Sequence, residues 1–272
     1  MESLPPASQR LNFRWLRDIL CSSVDRAVQY SVYSTEVGEL TRGSTGSSLL
    51  SYVQLLDSAL PIGGFSHSFG LETFVQQNRV TNIQQLEQYI IGQIHASLVR
   101  LEGLAIKGIF LAMEEDDLWR VCLFDKIIHV QRTPRESREG LQKMGKRLIK
   151  LGHTLYPEAD LRKLERGLEL HGGYGTLPVV HAWISFKLRV PLDEAVKGYL
   201  YTSLTTMVNS ALRLMSLGQT EGQLLIRRML TVIDQQWDTV RKLPAEQLHA
   251  FTPAHDIRAM QHETLYSRLF MS

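Results

Sequence analysis

The chain has few cysteines, only Cys21 and Cys122 among 272 residues. They form neither a CxxC metal pair nor the dense framework that holds small secreted domains together. Both thiols are therefore expected to be reduced, as in a reducing cytosol, and a cytoplasmic location is predicted.

Long apolar runs and a strong charge are also missing. No stretch of 18 apolar residues occurs, so no membrane-spanning helix is predicted, and no apolar signal core is expected at the N-terminus. The formal net charge is +2, which is too small to favour a nucleic-acid surface. Neither membrane nor nucleic acid is expected as a partner. A helical DNA-binding regulator would instead require strongly salt-dependent duplex binding.

Catalytic motifs are absent from the sequence as well. There is no GxSxG nucleophile elbow, and the nine histidines form no HxH or HxxxH pair that would bring imidazoles together on a helix. No catalytic residue, metal ligand or cofactor is therefore predicted, and the chain is expected not to be an enzyme. The alternative is a helical metal-binding hydrolase that uses the scattered histidines.

One segment imitates a phosphate-binding loop. Residues 140–147, GLQKMGKR, match GxxxxGK but place Arg147 where Ser or Thr would hold Mg²⁺. The segment also lies inside a predicted helix, where backbone amides are already hydrogen-bonded. Nucleotide binding is therefore not predicted.

The patterns that are present are helical. From residue 49 onward apolar residues recur at three- and four-residue spacing, as in Ile83, Leu86, Ile90 and Ile94. No alternating strand pattern occurs. The sequence predicts an all-α fold, a single compact bundle of nine or ten helices. Residues 49–272 form its domain, and residues 1–48 form a poorly ordered extension with a Ser/Thr/Gly-rich linker.

Start signals place several of these helices. Capping boxes are predicted at Thr81 with Gln84, at Thr133 with Glu136 and at Thr220 with Gln223, and Thr252-Pro253 predicts a further start. Pro157 and Pro191 are expected to open two more helices.

The stretch 49–75 joins two helical patterns through a Pro61-Ile62-Gly63-Gly64 break. Ser66 is predicted to cap the second helix. Two interpretations of the glycines remain open. They form either a backbone nest that holds an anion or a partner's side chain, or a tight turn that allows close packing.

Arg213 lies among apolar residues near the end of a predicted helix. A guanidinium in such surroundings usually makes forked hydrogen bonds. It either stabilises the turn at Gly218-Gln219 or contacts a partner.

The C-terminal segment is unusually apolar for a chain end, with Ile257, Met260, Leu265, Leu269 and Phe270. Such side chains dock either on the protein's own core or under another chain.

Three blocks carry a family resemblance: LDSALPIGGFSHSFGLE from residue 56, ALRLMSLGQTEGQ at 211–223 and DIRAMQHETLYSRLFMS at 256–272. Their order and spacing resemble the urease accessory protein UreF family over residues 49–272. The resemblance implies a non-enzymatic chaperone or scaffold, required for incorporation of the nickel metallocentre into urease. It also implies a homodimer that binds UreD (UreH), recruits the GTPase UreG and, through that complex, meets the urease apoprotein.

The resemblance also implies where partners bind. The residues expected on the UreD side are Asp256, Ile257, Met260, His262, Glu263, Tyr266, Arg268, Leu269 and Phe270. Those expected on the UreG side or in the dimer are Gly63, Gly64, Phe65, His67, Ser68 and Arg213. Regulation of the GTPase by an arginine finger would need an exposed arginine, for which Arg213 is a poor candidate in its apolar surroundings.

Overall fold

This computed structural model describes residues 46–272, with side chains from residue 48 onward. That part of the chain contains ten helices and no strand, counting residues 83–114 as one helix, which confirms the predicted all-α bundle. The predicted extension, residues 1–48, lies outside the described residues except for 46–48, which begin the first helix. The helices are α1 (Gly46–Leu55), α2 (Leu71–Gln76), α3 (83–114), α4 (Leu118–Gln131), α5 (Arg135–Leu155), α6 (Leu161–His171), α7 (Leu177–Lys187), α8 (Leu192–Leu214), α9 (Gln219–Val240) and α10 (Pro253–Gln261).

Helix α3 is the long helix that the apolar stripe from Ile83 predicts. Its middle segment, Ile94–Gly103, is π-helical, and the α-helical segments Ile83–Gln93 and Leu104–Glu114 continue it on either side. The helical dihedrals of Ile94 and Leu104 keep the axis unbroken. A wider π turn re-aims the side chains that follow it, and here it includes the buried Glu102.

Helix α7 lies at the centre of the bundle. Most of its side chains, from Pro178 to Ser185, are buried, because it packs against α3, α5 and α8. A side chain at Gly145 would overlap the Gly175 carbonyl, so this glycine permits the close approach of α5 to the start of α7. A helix that is apolar all round is typical of a core position.

Several predicted helix starts were wrong by one or two residues. Asn82, not Thr81, caps α3 by accepting from the Gln85 amide. Helix α9 begins after Gly218, whose amide donates to the Glu221 carboxylate at 2.9 Å. Helix α5 begins after Pro134, and no side chain caps it. The start at Thr252-Pro253 is confirmed.

The helix predicted to begin at Ser66 also starts later. Ser66 closes a short 3₁₀ turn, Gly64–Ser66, and α2 begins only after Gly70. Three further 3₁₀ turns occur in the described residues, at Pro157–Ala159, Ala245–Gln247 and His262–Thr264. None of the helices from residue 46 onward has the length and apolarity needed to cross a membrane.

Candidate functional site

Two segments far apart in sequence meet at one end of the bundle. We call residues 63–70 the glycine loop and residues 262–272 the tail. The glycine loop takes left-handed backbone at both ends, with φ of 90° at Gly63 and 92° at Gly70, where glycine carries no steric penalty. Inside it, the Ser66 hydroxyl donates to the Gly63 carbonyl at 2.7 Å.

The backbone of the glycine loop binds the last residues of the tail. The amides of Ser68 and Phe69 donate to the Ser272 carbonyl oxygen at 2.7 and 3.0 Å, and the Ser68 hydroxyl donates to the same oxygen at 2.7 Å. The Met271 amide donates to the Ser66 carbonyl at 2.8 Å. The loop therefore acts as a nest of donors, and in this structure its acceptor comes from the same chain.

A buried carboxylate holds the segment before that. Glu72, 2% exposed, accepts from the backbone amides of Leu269 at 2.7 Å and Phe270 at 3.0 Å. Its Oε2 also lies 3.0 Å from Nε2 of His262, a fully buried ring. Two amides and an imidazole thus satisfy a carboxylate that would otherwise be costly to bury.

A second carboxylate closes the network. Oε2 of Glu136 lies 2.6 Å from Nδ1 of His262, and its Oε1 accepts from Arg268 at 2.7 Å. Both nitrogens of His262 therefore face carboxylates. Arg135 adds an exposed ion pair with Glu263 at 2.8 Å. The start of α5 is thereby tied to the tail.

Arg213 lies between the two segments. Its Nη1 donates to the Phe65 carbonyl at 2.6 Å, and its guanidinium lies 4.4 Å from the centre of the Phe270 ring. The structural alternative, stabilisation of the turn at Gly218-Gln219, was wrong, because the guanidinium binds the glycine loop and the tail instead. An arginine over an aromatic face gains a cation–π contact as well as a hydrogen bond.

His67 is the titratable group of the glycine loop. Its Nδ1 lies 2.8 Å from the Ser272 hydroxyl, and its ring stacks on Phe69. Burial, reinforced by the positive charges of Lys143 and Arg147, lowers the pKa of His67 to about 4. The ring is therefore neutral at physiological pH.

The predicted tail residues divide between two faces. Phe270 and His262 are buried against the bundle, and Asp256 and Glu263 are half-buried. The others point to solvent, with Tyr266 fully exposed and Leu269 52% exposed. The exposed members are Ile257, Met260, Tyr266, Arg268 and Leu269.

The predicted loop residues divide in the same way. Gly63, His67 and Ser68 are buried, and Gly64 is half-buried. Phe65 is 74% exposed and lies beside the tail, because Arg213 contacts both. The structure thus brings the glycine loop into contact with the tail. We call the exposed apolar side chains of the loop, α10 and the tail the tail surface: Phe65, Ile257, Met260, Tyr266, Leu269 and the half-exposed Met271.

A cavity of about 170 Å³ lies behind the glycine loop, between α1, α3, α5 and α8. Apolar side chains such as Met144 and Leu148 line most of it. Its polar wall contains a buried ion pair between Glu102 and Arg132, together with the Tyr199 hydroxyl, whose pKa is raised by burial. Among residues 46–272, no three His, Cys, Asp or Glu side chains are arranged as a metal site.

Three residues of the tail network were not predicted to belong to the site. Glu72 stands at the end of the first family-like block, Glu136 was assigned to a helix cap, and Ser272 carried no signal. The sequence offered one pointer to Glu72: an acid two residues after Gly70, within an otherwise apolar run.

Comparisons with known proteins agree with the family that the three sequence blocks indicate. The UreF family model matches residues 80–230. The urease accessory protein UreF of Bacillus sp. strain TB-90 is 36% identical over 224 residues, which cover 82% of this chain and 99% of that protein. The protein of the same name from Lachnoclostridium phytofermentans is 35% identical over 82% of this chain and 98% of its own length. That of Actinobacillus pleuropneumoniae is 34% identical over 81% and 97%.

Proposed function

The chain belongs to the UreF family of urease accessory proteins, and from that membership we propose that it is a scaffold that joins UreD (UreH) and the GTPase UreG during nickel insertion into urease. Its role lies in urease maturation, and its relatives are accessory proteins rather than catalysts.

The observation that carries the proposal is the tail surface. Large apolar side chains such as Leu269 and Met271 are exposed, yet their backbone is fixed by hydrogen bonds to Glu72 and the glycine loop. A fixed apolar surface binds a partner at a lower entropic cost than a free tail does. We assign this surface to UreD, with Arg268 on its polar rim.

The same support extends to the other partners. Phe65, at the edge of the tail surface, lies on the glycine loop that the family resemblance places on the side of UreG or of the dimer. A homodimer would present two such loops to a dimeric GTPase. Arg213 is exposed, contrary to what its apolar sequence context predicts, but its guanidinium already binds the Phe65 carbonyl and lies over the Phe270 ring. We therefore propose that GTPase regulation here proceeds by positioning rather than by an arginine finger. The free thiol of Cys122 fits a cytoplasmic setting.

The test is nickel loading in cells that express urease and the other accessory proteins but lack their own copy of this chain. We expect the full chain to restore nickel in purified urease, measured by mass spectrometry. We expect the chain truncated after Thr264 not to restore it, although it should remain helical by circular dichroism. Nickel-loaded urease without the chain would contradict the proposed function, and full loading by the truncated chain would contradict the assignment of the tail.

A further inference from the structure

Helix α4 presents a second apolar surface, on residues that the proposed function does not use. Trp119 is 56% exposed, Leu123 36% and Val130 66%. Spacings of four and seven residues place all three on one face of the helix. The opposite face is equally apolar and buried, with Val121, Phe124 and Ile128 in the core. A helix that is apolar on both faces is covered on both sides in a complete assembly.

Helix α6 extends this face. Gly167 of α6 meets Leu118 at the start of α4, and Gly172 lies beside the ammonium group of Lys126 one to two turns further along. Leu170, 78% exposed, lies between Gly167 and Gly172 in sequence, on the helix that packs against α4. We call Trp119, Leu123, Val130 and Leu170 the α4 patch. Large apolar side chains exposed to this extent on two packed helices mark an interaction surface.

In the described part of the chain, the unpaired charges around the α4 patch are mostly positive: Lys126 and Arg166 against Glu169, which is exposed next to Leu170. The carboxylates at its N-terminal end are already paired, Asp116 with Lys163 and Glu115 with Arg120. The cations have no such partners, because within residues 46–272 neither Lys126 nor Arg166 forms an ion pair. Arg166 donates only to the Arg162 carbonyl. The rim therefore has unpaired positive charge beside the α4 patch, which favours carboxylates on whatever covers it.

We propose that the α4 patch binds an amphipathic helix of a protein partner, with an apolar stripe that packs on Trp119 and Leu170 and with aspartate or glutamate at its edges facing Lys126 and Arg166. Trp119 is the anchor, because partly exposed tryptophans are the residues that most often dominate the binding energy of an interface. This inference does not depend on the proposed function, since the tail surface and the α4 patch share no residue.

Two synthetic amphipathic helices test the proposal with the full chain. Both have the same leucine stripe, one flanked by glutamates and the other by lysines. In a Trp15→Phe background the emission of Trp119 reports binding, because Trp183 and Trp237 are buried. We expect the glutamate peptide to bind at least about tenfold more tightly than the lysine peptide. Lys126→Glu with Arg166→Glu should reverse that order, while Arg227→Glu, a charge change on α9, should not.

Anchor variants localise the site. Measured by calorimetry, Trp119→Ser and Leu170→Ser should each lower the affinity of the chain for the glutamate peptide by about tenfold or more. Leu224→Ser, which removes an equally exposed leucine of α9, should leave its affinity unchanged. Equal binding of the two peptides, or binding that survives Trp119→Ser, would overturn the proposal. A dimer in sedimentation that Trp119→Ser converts to monomer would also overturn it, by showing that a second copy occupies the α4 patch.

Discussion

At the scale of single residues, hydrogen bonds from buried polar groups hold the backbone of the tail. Glu72 has the central position: one buried carboxylate accepts two backbone amides and faces His262. Hydrogen bonds to a charged acceptor are stronger than those between neutral groups. Removing the carboxylate would leave its donors buried without a hydrogen-bond partner.

Glu72→Gln tests that position. An amide turns an NH₂ group toward donors, so we expect a loss of about 1–3 kcal/mol in the free energy of unfolding, with faster hydrogen exchange at Leu269 and Phe270. Chemical denaturation and exchange mass spectrometry measure the two effects. Glu139→Gln is the control, since its ion pairs on α5 are exposed, and it should change stability by less than about 0.5 kcal/mol. Unchanged exchange at both amides in Glu72→Gln would contradict the role of Glu72.

His67 makes the docking of the tail dependent on pH. Its pKa falls from 6.5 to about 4 in the folded chain, chiefly through burial. Because the folded pKa is depressed, this contribution to stability is complete above pH 6.5 and is lost as the pH falls toward 4. Protonation of the unfolded chain then costs the fold up to about 3 kcal/mol.

The measurement is the unfolding free energy at several pH values for the wild type and for His67→Asn. We expect the difference between the two proteins to change across pH 6.5 to 4 and to stay constant above that window. His181, whose pKa burial also lowers to about 4, contributes equally to both proteins and cancels in the comparison. A difference that stays constant from pH 7 to 4 would contradict the burial of a neutral His67.

At the scale of elements, the three- and four-residue period was a sufficient guide to the helices, whereas their ends were not. More than one polar residue near each helix start could make the capping hydrogen bond. Thr81 and Asn82 are both candidates at the start of α3, and Glu221 and Gln223 are both candidates at the start of α9. Which one caps depends on where the preceding chain enters, and that is set by packing. The π-helical segment Ile94–Gly103 could not be predicted from the spacing of apolar residues either, since its side chains are buried on most sides.

The approach of α10 to α2 depends on Gly70. A β-carbon there would lie 3.0 Å from that of Ala259, at a left-handed φ of 92°. Gly70→Ala is therefore expected to destabilise the chain by about 1–2 kcal/mol or more and to loosen α10. Thermal unfolding, with exchange across residues 253–261, measures this.

Gly92→Ala is the matched control for that change. Gly92 lies in α3 with open space around its Cα, and alanine there should stabilise the helix by up to about 1 kcal/mol. If Gly70→Ala proved as stable as the wild type, or if exchange in α10 stayed unchanged, the close packing of these two helices would not matter.

At the scale of the whole molecule, the sequence singled out the glycine loop and the tail but did not predict that they contact each other. The glycine loop and the tail are separated by about 190 residues, and each was singled out by its own composition. An apolar chain end has the same pattern whether it docks on its own bundle or under a partner. The structure docks Phe270 on the protein's own bundle and leaves Tyr266 exposed. Residues such as Glu72 acquire their role only once the chain has folded.

The central claim is that the exposed side of the docked tail binds UreD. The most direct measurement is the affinity of UreD for the full chain by titration calorimetry, with Tyr266→Ala and Leu269→Ala combined in one variant. Both side chains are exposed, so their removal should leave the buried hydrogen-bond network and the fold unchanged. The affinity for UreD should fall by about a hundredfold. Leu224→Ala should bind as the wild type does. An unchanged affinity in the double variant would contradict the account.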